Sequence, residues 1–273
     1  MYESSPTDWL RYACGIGQHL GVSDGNGGVV DVCTVVGSID PSDLNYASIA
    51  VGDLAGKQTI TRTVTNATAK ASVYVARVQA PPGFTVTVTP STIVVPPRRS
   101  VTFKVDITRT TDAFGQWSFG ALNWSDLRGH NVRSPIAVRP VAVAAPAEVT
   151  GTGTSGSTAA TLRAGYTWRA VRAGSAEEAI TVTAPGSYDV YAVQFALDPG
   201  VTEQDVKLNA LVVAPTAAGS LAATPASQGA ALGGPAGVTA SWSGLAAGGH
   251  YLGVIEYGDG TDVLGQTVVT VNA

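Results

Sequence analysis

The chain has three histidines, His19, His130 and His250, and hydrolytic chemistry near neutral pH would need one of them beside a nucleophile and an orienting carboxylate. All three fall in glycine-punctuated stretches: His19 in the Gly-rich loop between the cysteines, His130 after Arg128-Gly129, His250 after Gly248-Gly249. Histidines in turns are usually solvated, so this spacing argues against a catalytic triad. Gly153-Thr154-Ser155 has the form of a nucleophile-bearing turn, but Gly156-Ser157 follows where a helix start would be required, and a flexible linker is the better reading. No histidine has another within five residues, as a zinc site would want. Two oxygen-rich turns, Asp24-Gly25-Asn26-Gly27 and Asp259-Gly260-Thr261-Asp262, carry donors suited to calcium. Neither matches the calcium loop that ends in a glutamate, and Asp-Gly and Asn-Gly are common turn formers. No metal site and no cofactor is expected, calcium at one of these turns being the alternative. No Gly-rich phosphate loop followed by Lys-Ser/Thr occurs.

The two cysteines, Cys14 and Cys33, bracket a segment containing Gly21, Gly25, Gly27 and Gly28. Paired, they would constrain the unfolded chain by roughly 3 kcal/mol, in an oxidising compartment. Two reduced thiols are the other reading, and spacing leaves both open.

One aromatic cluster runs from Phe114 to Trp124. On a strand, Gly120, Leu122 and Trp124 share one face, while Trp117, Phe119 and Ala121 share the other. Both faces are apolar, whereas a small antiparallel sandwich normally leaves its second face polar. Trp117 and Phe119 are therefore expected to form an interdomain docking patch; the plainer alternative is a central strand with one side under a loop.

The elements that would position these residues are strands. Val101, Phe103, Val105 and Ile107 alternate with Thr102, Lys104, Asp106 and Thr108, and Thr59–Asn66, Thr85–Thr89 and Val132–Val138 show the same period of two. After Ala144-Ala145-Pro146-Ala147 the composition shifts to Gly, Ser, Thr and Ala. Further strands are expected at Ala179–Thr183, Tyr188–Leu197, Val206–Val213, Val238–Trp242, Tyr251–Tyr257 and Gln266–Val271, with 214–237 as a long loop. Before residue 40 only Thr7–Ala13 reads as helix, capped by Thr7 or Asp8. The expected fold is all-β: a segment over 1–39, an antiparallel β-sandwich over 40–143 and a second sandwich over 144–273.

Composition agrees. Of 273 residues only 13% are charged, 45% are hydrophobic, and Gly and Pro number 32 and 15, which excludes wholesale disorder and marks a turn-rich chain. A net charge of −4 with scattered basic residues argues against nucleic acid, and the pair Arg98-Arg99 reads as a solvated turn. No apolar run is long enough to span a bilayer. The first eight residues, Met1 to Asp8, lack the basic and apolar regions of a signal peptide, so the chain is either intracellular or a piece of a longer protein.

Five motifs then occur in order: Asp43-Leu44-Asn45-Tyr46-Ala47-Ser48-Ile49-Ala50; Thr61-Arg62-Thr63-Val64-Thr65-Asn66; Pro82-Gly83-Phe84 through Pro90; Phe119-Gly120-Ala121-Leu122-Asn123-Trp124; and Val132-Arg133-Ser134-Pro135-Ile136. Together they resemble the fibronectin type III-like domain that follows the catalytic domain of subtilisin-like serine proteases, best known from plant subtilases. Asp8-Trp9-Leu10-Arg11-Tyr12-Ala13-Cys14-Gly15 is similar to the stretch joining those two domains. The likeness covers residues 2–143 and implies a Cys14–Cys33 disulfide. The family usually has Pro where Ala47 stands and Val-Gly where Ala67-Thr68 stands. The second module has a likeness to β-sandwich domains, jelly-roll or Ig-like, appended to secreted bacterial peptidases, carried by Tyr188-Asp189-Val190-Tyr191 and Asp205-Val206-Lys207-Leu208. The family's catalytic motifs, Asp-Ser/Thr-Gly, His-Gly-Thr-His and Gly-Thr-Ser-Met-Ala, are absent. The resemblance implies a non-enzymatic C-terminal region of a secreted, extracellular protease, partnered with the protease domain of the same parent chain and serving to stabilise it or to assist substrate access and assembly. An independent adhesion or ligand-binding module is the alternative.

Overall fold

The computed structural model describes residues 1–18, 20–23, 28–111, 113–165, 168–176 and 217–273. It divides into two compact units: the first holds Met1–Ala144, Arg163–Trp168 and Ala230–Pro235, and the second holds the rest.

The first unit begins with helix α1, Pro6–Gly15. Its cap is Ser5, two or three residues earlier than expected: the Ser5 hydroxyl accepts from the Asp8 amide, and the Asp8 carboxylate accepts from the Ser5 amide. This reciprocal box, with Pro6 in the first turn, starts the helix before Thr7. A short hairpin, β1 (Gly21–Ser23) with β2 (Val29–Asp31), and helix α2 (Val32–Val36) follow, so the segment before residue 40 holds more structure than one helix.

The sandwich consists of β3 (Ile49–Leu54), β4 (Lys57–Thr65), β5 (Ser72–Gln79), β6 (Phe84–Thr89), β7 (Thr92–Val95), β8 (Ser100–Arg109), β9 (Ser118–Asp126) and β10 (Asn131–Pro140). One sheet has the order β3-β10-β9-β5-β7, the other β4-β8-β6. Pairing is antiparallel except at the edge, where β3 runs parallel to β10 with Ile49 opposite Ile136. The core between the sheets contains Ile60, Phe103, Val105, Leu122, Trp124 and Ile136, with the Phe103 and Trp124 rings in an edge-to-face contact at 5.0 Å. As the period of two predicts, Leu122 and Trp124 point inward. Trp117 lies just before β9 rather than on it.

In the second unit one sheet joins Glu148–Thr152, Val263–Asn272, His250–Gly258, Trp168–Ala176 and Ser227–Ala230 in that order, and Gly156–Ala164, Pro235–Ser243 and Ser220–Thr224 lie adjacent in another. Here too a parallel pair, Glu148–Thr152 with Val263–Asn272, brings these two strands side by side. The long loop expected over 214–237 is corrected: Ser220–Thr224 and Ser227–Ala230 are strands. Ser220–Thr224 alternates Leu221 and Ala223 with Ser220, Ala222 and Thr224, a weak contrast because alanine stands on both faces. The strands expected at 179–183, 188–197 and 206–213 lie outside the described residues.

Gly153-Thr154-Ser155 is a turn between two strands and not a linker. Trp242 explains its glycines: the indole Nε1 donates to the Gly153 carbonyl at 3.1 Å, and a Cβ on Gly151 or Gly156 would stand 2.1 or 2.7 Å from the Trp242 ring. Tyr257, fully buried, donates to the Thr267 hydroxyl, which donates to the Pro146 carbonyl and fixes the entrance to the unit.

Candidate interaction surface

Residues read as possible chemistry occupy structural roles. The Asp126 carboxylate accepts from the amides of Arg128 and His130, and its Oδ2 lies 2.7 Å from His130 Nδ1. Burial acts to raise the Asp126 pKa, but the hydrogen bonds from the His130 ring and from the two amides outweigh it and hold the carboxyl below its usual range. His250 is the first residue of a strand rather than part of a turn, and its Nδ1 lies 2.6 Å from Asn272 Oδ1. Both histidines are thus paired with a turn carboxylate or a strand-end amide and not with a serine hydroxyl. His19 and the turn Asp24-Gly25-Asn26-Gly27 lie outside the described residues. Asp259 accepts from the amides of Thr261 and Asp262, bonds that lower its pKa and close its turn. Among the described residues no three His, Cys, Asp or Glu side chains cluster.

Cys14 and Cys33 form a disulfide, S–S 2.07 Å, between α1 and α2. Neither helix has a buried residue, so this segment lacks a core of its own. It is also held by Arg11 Nε donating to the Val36 carbonyl and by the Ile39 amide donating to that of Arg11. Reduction is expected to loosen residues 6–39 while the sandwich stays folded. Limited proteolysis with and without reductant checks this: cleavage confined to the segment is the expected result, and an unchanged digest would refute it.

The Asp43–Ala50 and Thr61–Asn66 motifs clasp each other. Asp43 accepts from the Thr61 amide, and Asn45 both accepts from the Thr63 amide and donates to the Thr63 carbonyl. Arg62 is 3% exposed, and its guanidinium donates to the carbonyls of Ser42, Tyr46, Ser48 and Thr61. Burial pushes the Arg62 pKa down, and the nearby Asp43 carboxylate opposes that shift. A groove of about 600 Å³ beside this clasp is lined by Trp9, Tyr12, Tyr46, Asp40 and Gln58. Asp40 there accepts from Ser42 and Gln58, and the groove marks where α1 meets the sandwich.

The outer faces of the two sheets differ sharply. On the three-stranded sheet, Thr59, Thr61 and Thr63 of β4, Thr102, Lys104, Asp106 and Thr108 of β8, and Thr85, Thr87 and Thr89 of β6 form an almost wholly polar ladder. Its hydroxyls bond across strands, Thr63 to Thr102 and Thr59 to Asp106. On the five-stranded sheet, Phe119 is 68% and Trp117 46% exposed, beside Ala50 and Ala137. Arg139 lies over the Trp117 ring at 5.6 Å, and Val73, Val75 and Val94 are exposed at the far corner. Gly120 is required by the strand path, since a Cβ there would stand 2.4 Å from the Gln79 carbonyl oxygen. Phe119 and Trp117 lie on this face as the alternation predicts, while the valines of β5 and β7 carry no such signal in the sequence. Apolar residues on both faces of β5, such as Tyr74 and Val75, hid its alternation.

Residues 43–138 match the fibronectin type-III domain family. Three subtilisin-like proteases of Arabidopsis thaliana are similar to the chain: SBT3.2 is 39% identical over 142 residues, SBT3.16 36% over 141 and SBT3.6 38% over 143. Each alignment covers 51% of this chain but only 18 or 19% of the relative, so the chain spans under a fifth of the length of the curated proteins it matches. The match is to the fibronectin-like region outside their catalytic domain. No helix among the described residues is long and apolar enough to cross a membrane. Residues 43–138 therefore match a fibronectin type-III domain, in a chain of which about half is similar to part of subtilisin-like proteases.

Proposed function

We propose that this chain is the non-catalytic C-terminal region of a secreted subtilisin-like serine endopeptidase, and that the outer face of its five-stranded sheet docks on the protease domain and stabilises it. The contrast between the two sheets carries this reading. A threonine-rich outer face is fully served by water, whereas Phe119, Trp117 and the valines of β5 and β7 form an apolar surface of the kind that marks an interaction site. Burying one aromatic of this size is worth about 1.5 to 3 kcal/mol. Phe119→Ala combined with Trp117→Ala should lower the melting temperature or secreted yield of the longer protease and leave its active-site chemistry unaltered. Thr61→Ala with Thr87→Ala, on the opposite face, should do neither. Equal behaviour of the two pairs in the longer protease would overturn the reading.

A further inference from the structure

On the docking face, Arg77 of β5 stands opposite Asn123 of β9, which stands opposite Arg133 of β10, so the three form one row across the centre of the sheet. Arg77 and Arg133 are exposed, and among the described residues neither forms a salt bridge. The flanking rows offer no carboxylate: Val75, Ser125 and Asn131 lie on one side, and Gln79, Ala121 and Pro135 on the other. Asp53, on the edge strand β3, is engaged by Arg139 at 2.8 Å. Strands lie about 4.8 Å apart, so the Cα atoms of the two unpaired arginines are about 10 Å apart on a firm β scaffold. This is a basic row on a chain whose net charge is −4.

At about 10 Å, roughly one Debye length, two exposed guanidinium groups repel only weakly, and each fork matches a carboxylate bidentately. Apolar side chains border the row at both ends of the face: Val73, Val75 and Val94 at one corner, Phe119 and Trp117 at the other. We propose that the surface received by this sheet is acidic at its centre, presenting carboxylates about 10 Å apart to Arg77 and Arg133, with apolar side chains on both sides. The inference rests on the docking reading above and gives the chemistry of the partner: the facing patch of the protease domain is carboxylate-bearing.

The test compares melting temperatures of the longer protease and of this chain alone for Arg77→Glu with Arg133→Glu, the neutral pair Arg77→Gln with Arg133→Gln, and Phe119→Ala. The charge reversal is expected to lower the melting temperature of the longer protease by several degrees and the neutral pair by less, with no change in the isolated chain. The gap between wild type and the reversal should narrow as salt is raised from about 0.1 M to about 1 M, because the Debye length falls to roughly a third. If Phe119→Ala destabilises the longer protease but the reversal does not, docking stands and the acidic partner is refuted. If neither variant has an effect there, the docking reading itself fails. Equal loss from the reversal in the isolated chain would make both arginines structural and overturn the proposal.

Discussion

Trp124→Ala is expected to destabilise the isolated fibronectin-like unit by about 3 to 5 kcal/mol, whereas Phe119→Ala, only five positions away, should cost less than about 0.5 kcal/mol. The two side chains leave β9 on opposite faces. Trp124 is 2% exposed and packs edge-to-face on Phe103, so its removal opens a cavity between two sheets that cannot collapse without breaking their pairing. The site is already imperfectly filled, because a cavity of about 60 Å³ adjoins Trp124, Tyr2, Tyr74 and Ile93. The buried Trp124 Nε1 has no hydrogen-bond partner, so replacing the indole frees no acceptor and the loss is one of packing. Urea unfolding of the isolated chain followed by intrinsic fluorescence measures both variants. Similar losses for the two would place both faces of β9 in the interior.

Arg62→Met should have an effect of comparable size, about 3 to 5 kcal/mol, for an electrostatic reason. No carboxylate bonds the guanidinium; it serves backbone carbonyls of Ser42, Tyr46, Ser48 and Thr61, at 2.6, 3.1, 3.1 and 2.9 Å. Three of these belong to the irregular chain between residues 42 and 48, which has no ladder of its own to satisfy them. A buried carbonyl left without a donor costs about 1 to 3 kcal/mol, so the loss of several together exceeds what the added apolar bulk of methionine returns. Lysine offers a point charge in place of a planar fork, and Arg62→Lys should recover less than half of the difference. Chemical denaturation of the three proteins decides it, and a loss below about 1 kcal/mol for Arg62→Met would show that the clasp is dispensable.

The inward and outward assignment of β9 was legible because the period of two places Leu122 and Trp124 together whatever surrounds them. β4, β6, β8 and β10 were legible for the same reason, with threonine marking the outer face of the first three. Two kinds of feature were not. In the second unit, strands such as Gly156–Ala164 and Ser220–Thr224 are written largely in Ala, Gly, Ser and Thr, where hydropathy barely separates the faces. The glycines at 151 and 156 answer to Trp242, far along the chain, so no local pattern distinguishes them from a linker. Of the candidate surface, Trp117 and Phe119 could be read from one strand, but the row formed by Arg77, Asn123 and Arg133 could not. It exists only once β5, β9 and β10 are in register, and register is a property of the sheet.

Hydroxyl-radical footprinting of Phe119 and Trp117, in this chain alone and within the proposed parent protease, tests the docking of the five-stranded face most directly. Both rings are substantially exposed here, at 68% and 46%, so both should be oxidised readily in the isolated chain. Within the longer protease their labelling should fall several-fold, while Leu127, fully exposed in the turn between β9 and β10, should be labelled equally in both samples. Undiminished oxidation of Phe119 and Trp117 in the longer protease would contradict the account.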